Sequence, residues 1–139
     1  MSSGWSEAEK AAMKERAEEL RVEKGGKKKA DALADLMAKV AQMPEDERTM
    51  AERLHTLVME AAPELEPRTW YGMPAWTKDG TVLCFFQSAS KFDTRYSTFG
   101  FQDNAALDDG AMWPASFALV SLGPAEEKKI AALVRQAAT

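Results

Sequence analysis

Residues 69–76 read TWYGMPAW and residues 81–87 read TVLCFFQ, with Asp79-Gly80 between them. Asp-Gly flanked by Lys78 and Thr81 is a strong two-residue hairpin signal, because both turn positions require positive φ. TVLCFFQ is rich in β-branched and aromatic residues and is too short for a helix. The two stretches therefore read as paired antiparallel strands, and this hairpin decides the fold. The first stretch is an awkward strand. Gly72 weakens a ladder and Pro74 lacks a donor. An edge or bulged strand, bent around something bulky, is the expected outcome. Alternation along it puts Trp70 and Tyr71 on opposite faces. Trp70 is then the core residue, while the Tyr71 hydroxyl needs a partner or water.

Outward from the hairpin, YSTFGF and SFALVSL read as two further strands. Gly123-Pro124 opens a last helix with Ile130, Leu133, Val134 and Ala137 on one face. On the N-terminal side a helix is expected over residues 31–42, with Leu33, Leu36, Met37 and Val40 aligned. Pro44 ends it and suits the first position of a third helix, whose Glu45, Asp46 and Glu47 favour the positive end of the helix dipole. Met50, Leu54, Leu57, Val58 and Ala61 follow at the helical period, and the PELEP segment closes this half. Ser6 and Glu9 have capping-box spacing and open a first helix. That helix carries many charges, offers only a thin stripe of Met13, Ala17 and Leu20, and stops at Gly25-Gly26. The expected organisation is a charged helical extension over residues 1–29 and one α+β domain over residues 30–139. In that domain an antiparallel sheet of about four or five strands carries packed helices.

The composition is that of one ordinary globular domain: 139 residues, 45% hydrophobic and 29% charged. A net charge of −4 argues against nucleic acid and anionic membranes as partners. The basic run Lys27, Lys28 and Lys29 follows acidic residues and reads as a solvated charge run. No apolar run approaches a membrane span, and the first ten residues have no signal-peptide core, so a cytoplasmic protein is expected. Cys84 is the only cysteine and His55 the only histidine, which excludes an intrachain disulfide and argues against a tetrahedral zinc site.

The segments PRTWYGMPAW, VLCFFQ, Lys91, the later Gly-Phe pair and LDDGAMWPASFAL, followed by a terminal helix, resemble the YdhG-like family of bacterial domains (DUF 1801). The resemblance runs from about Leu33 to Val134, and its motif matches at Tyr71, Gly72, Met73, Pro74, Gln87, Lys91 and Phe101. It implies a compact α+β fold. Some relatives are described as frataxin-like iron chaperones, which would imply iron as a weakly bound cargo and an iron-delivery protein as partner. No iron-binding motif of the family carries over residue by residue.

Three readings of function stay open. In the first, exposed carboxylates hold iron: Glu45, Asp46 and Glu47, or Asp108 and Asp109. Oxygen ligands suit a hard cation, but helix-start electrostatics and a turn account for the same residues. In the second, a small molecule occupies a pocket near Tyr71, Gln87, Lys91 and Trp113, for binding or for catalysis, and the cationic Lys91 would suit an anionic one among the candidates. The competing account makes the aromatic residues core. In the third, the charged N-terminal helix meets a partner protein. A monomer or a small homo-oligomer fits each. No catalytic residue is assigned: Cys84 lies in an apolar strand, and no phosphate loop or nucleophile elbow occurs.

Overall fold

The computed structural model describes residues 4–24 and 29–139. Its elements in chain order are α1 (Glu7–Lys24), α2 (Lys29–Ala41), α3 (Glu45–Ala61), β1 (Glu66–Trp70), β2 (Met73–Lys78), β3 (Thr81–Gln87), a single 3-10 turn η1 (Ala89–Lys91), β4 (Ser97–Phe101), β5 (Ser116–Leu119) and α4 (Pro124–Ala137). The five strands form one antiparallel meander in the order β1-β2-β3-β4-β5. The chain is thus an α+β domain with an N-terminal helix. The expected stop at Gly25-Gly26 and the residues Lys27 and Lys28 lie outside the described residues.

The capping box forms at the start of α1: the Ser6 N–H donates to Glu9 Oε1 at 2.9 Å, and the Glu9 N–H donates to Ser6 Oγ at 3.0 Å. Pro44 stands at the N-cap of α3, one residue before the expected position. Gly123 caps α4, with its N–H donating to Glu126 Oε1 at 2.9 Å.

Asp79 and Gly80 form the β2–β3 turn with φ of 51° and 81°. The TWYGMPAW stretch, however, is not one bent strand. It is a second hairpin: Trp70 pairs with Met73, and Tyr71 and Gly72 form the turn with φ of 54° and 76°. A turn with two positive φ values matches the right-handed twist of the strands it joins. Gly72 therefore ends a strand rather than weakening one, and Pro74 sits at the start of β2.

The core lies between one face of the sheet and helices α2, α3 and α4. Trp76, Cys84, Phe86, Phe99, Phe101 and Leu119 meet Leu36, Val40, Leu54, Val58, Ile130 and Val134 there. A β-bulge lets consecutive residues share this core: the register steps from Trp76↔Cys84 to Thr77↔Val82. Leu83, the extra residue, is buried as completely as Cys84. Trp70 is not the core tryptophan. Its ring packs edge-on against Tyr71 at 5.2 Å and at a tilt against Phe85 at 5.4 Å, and it stays half-buried. Alternation failed here because Tyr71 is a turn residue. Trp76 takes the core position with no exposed surface.

Candidate functional site

The Tyr71-Gly72 turn leaves its two backbone N–H groups pointing away from the ladder, and both are claimed by α1. The Tyr71 N–H donates to Glu19 Oε1 at 3.0 Å and the Gly72 N–H donates to Glu19 Oε2 at 2.9 Å. One turn earlier on α1, Glu15 accepts from two lysines. Lys39 Nζ of α2 reaches Oε2 at 2.6 Å, and Lys91 Nζ of η1 reaches Oε1 at 2.7 Å. The Arg16 guanidinium lies 5.9 Å over the Tyr71 ring and 3.3 Å from Glu19 Oε1. Residues from three separate parts of the domain thus converge on two carboxylates of one helix.

Local structure explains how each donor arrives. Lys91 ends the 3-10 turn that leaves β3, at the same end of the sheet as the β1–β2 turn. Lys39 lies on the last turn of α2, which packs along β1. Gly72 is needed twice. Its φ of 76° disfavours a side chain, and a Cβ there would fall 2.2 Å from Glu15 Oε2. The close approach of the carboxylate to the turn depends on that missing atom.

Burial opposes ionisation of Glu15, but the hydrogen bonds and charges of Lys39 and Lys91 outweigh it and hold the carboxyl below its ordinary range. The three side chains are only 18–33% exposed, so their attraction is less screened than that of an open surface pair. Two ammonium groups and two backbone amides can hold oxyanions by charge-assisted hydrogen bonds. Beside this centre, α1, α2, β1 and the end of α3 with the segment that follows it border a cleft of about 950 Å³, with Val22, Met59, Leu65 and Pro67 among its apolar lining and Lys39 and Arg68 among its polar lining.

Of the expected ligand residues, the structure brings Tyr71 and Lys91 together. Gln87 ends β3 opposite Thr98, on the sheet face it shares with Phe85, outside the set that meets Glu15 and Glu19. Trp113 lies on the β4–β5 connection and packs half-buried against the core, at the opposite side of the sheet order from β1. Among the described residues, no three His, Cys, Asp or Glu side chains are grouped to hold a metal ion. Glu45 and Asp46 are exposed and line a shallow groove that also holds the Arg53–Glu127 ion pair at 2.7 Å. Glu47 turns away from them and accepts from Ser90 Oγ at 2.7 Å and from the Ser90 N–H at 3.1 Å. Asp108 and Asp109 are exposed before Gly110, whose φ is 67°. Cys84 is fully buried, which pushes its thiol pKa far up. His55 is held by the core, accepting at Nδ1 from Trp76 Nε1 at 3.1 Å.

Glu15, Glu19 and Lys39 were absent from the expected site. The one trace of the two glutamates in the sequence is a stripe of Ala12, Glu15, Arg16 and Glu19 at helical spacing, which reads as solvated when the stripe of Met13, Ala17 and Leu20 is taken as the inner one. The docking face is the polar stripe: Ala12 is buried, while Met13 and Leu20 are 39% and 44% exposed.

No protein-family model, curated protein or solved structure matches this chain. Among the described residues, no helix is long and apolar enough to cross a membrane.

Proposed function

We propose that this protein is a binding domain for small organic anions, without chemistry of its own. Its site is the convergence of Lys39, Lys91 and the Tyr71 and Gly72 amides. A single observation supports the reading: four donors from α2, the β1–β2 turn and η1 converge on two neighbouring carboxylates. Tyr71, Gly72 and Lys91 also belong to the motif that resembles the YdhG-like family, and membership of that family is part of this reading.

The test is a titration of the full chain, followed by amide chemical shifts, with succinate, phosphate and ferrous iron under anaerobic conditions at constant ionic strength. Saturable shifts of the Tyr71 and Gly72 amides with an anion, lost in the variant carrying Lys39→Met and Lys91→Met, are expected. Shifts with ferrous iron alone, centred on Glu45 or Asp108, would replace this reading by metal binding.

A further inference from the structure

Helix α1 docks the wrong way round for a helix that contributes apolar burial. A helix bound for stability turns its apolar stripe inward. Here Met13 and Leu20 are 39% and 44% exposed, and Glu15, Arg16 and Glu19 face the domain. What the helix inserts is a pair of carboxylates four residues apart, on neighbouring turns of one face. Each carboxylate meets a pair of donors from the rest of the domain, Lys39 with Lys91 at Glu15 and the Tyr71 with the Gly72 amide at Glu19, which also pairs with Arg16 of its own helix. Among the described residues, the side chains of Lys39 and Lys91 donate to no acceptor but Glu15, so undocking α1 leaves two ammonium groups and two turn amides without their acceptors. Gly72 completes the fit, since a side chain there would occupy the place of the Glu15 carboxylate.

We propose that Glu15 and Glu19 stand in for the ligand, so that α1 is a displaceable gate over a site for a dianion bearing two carboxylates. The proposal rests on the anion-binding reading and adds its ligand class and its regulation. The Cβ atoms of residues four apart on a helix face are about 5–6 Å apart, which sets the scale of the spacing between the two subsites. A short dicarboxylate fills both subsites, whereas a monocarboxylate or phosphate fills one. A tethered competitor is always present at high effective concentration, so the apparent affinity falls in proportion to the open fraction. Any factor that loosens α1 then raises affinity without altering the site.

The experiment compares the full chain with its Glu15→Ala, Glu19→Ala double variant by calorimetry, using glutarate, acetate and inorganic phosphate at matched ionic strength. Alanine keeps helix propensity high, and circular dichroism verifies the fold. A Glu7→Ala, Glu18→Ala variant supplies the same change in net charge at exposed positions. The gate predicts that the Glu15, Glu19 variant binds glutarate at least about tenfold more tightly than the parent chain and the control. It also predicts that acetate and phosphate bind more weakly than glutarate, and that glutarate speeds amide exchange in α1 of the parent chain. Equal glutarate affinity in parent and variant overturns the gate and leaves anion binding intact. Tighter phosphate than glutarate binding overturns the ligand class. No anion binding by either folded chain overturns the underlying reading as well. If the double variant fails to fold, unchanged α1 exchange in the parent chain at saturating glutarate overturns the gate.

Discussion

The carboxylate of Glu15 occupies the space that a side chain on Gly72 would need: a Cβ built on Gly72 falls 2.2 Å from Glu15 Oε2 and 2.5 Å from Oε1. The far end of a glutamate can usually move aside. Here Lys39 and Lys91 hold both oxygens, and moving them breaks two ion pairs. Gly80 offers the comparison, because its φ is also positive, at 81°, but its Cβ would meet open space. Gly80→Ala should cost about 1 kcal/mol from backbone strain alone. Gly72→Ala should cost more and should loosen α1. Chemical denaturation with amide exchange over α1 separates the two effects, and equal costs would mean that Glu15 yields freely.

Acid should release α1. The carboxyl of Glu15 is held below its ordinary value of 4.5 by the two lysines, despite burial. A depressed native pKa means that the unfolded chain takes up the proton first. The stabilisation is therefore complete above about pH 4.5 and is lost as pH falls through the lower native value. Protection of the α1 amides from exchange, taken relative to the intrinsic rate at each pH, should fall down this range, and Lys91→Met should move the onset to higher pH.

His55 makes the core sensitive to mild acid. Burial lowers its pKa below 6.5, and its neutral Nδ1 accepts from the indole of wholly buried Trp76. Protonation at Nδ1 removes that acceptor. The native pKa is depressed, so the contribution is whole above about pH 6.5 and declines as pH falls through the native value. Denaturation midpoints should fall across this window in the parent chain. In His55→Ala that decline should disappear, with a constant cost of about 1–3 kcal/mol for the stranded indole N–H.

The two tryptophans of the β1–β2 hairpin should differ sharply. Trp76→Ala removes a side chain with no exposed surface and should cost about 3–5 kcal/mol or prevent folding. Trp70→Ala removes ring contacts with Tyr71 and Phe85 at a half-buried position and should cost only about 1–2 kcal/mol. Equal costs would place Trp70 in the core after all.

Cys84 should be inert while the domain is folded. It has no exposed surface, and burial pushes its thiol pKa far up, so little thiolate forms near neutral pH. A thiol reagent should modify it only at the rate of unfolding, with full reaction in denaturant. Rapid modification of the native protein would require local opening of β3.

Much of this fold is legible in local sequence because its causes are local. Asp79-Gly80 supplies both positive φ values of a two-residue turn, and Ser6 with Glu9 closes a capping box within four residues. The helix stripes of Leu36, Val40, Leu54, Val58, Ile130 and Val134 are cyclic patterns that any core will accept. The turn at Tyr71-Gly72 was hidden because a tyrosine at positive φ is uncommon and looks like a strand residue. Tertiary structure alone decided the site. Glu15 lies 24 residues from Lys39 and 76 from Lys91, and Glu19 lies 53 from Gly72. Charge carries no period that names its partner, so a solvated glutamate and a docked one read alike. Only the packing of α1 against the end of the sheet, with its polar stripe inward, tells them apart.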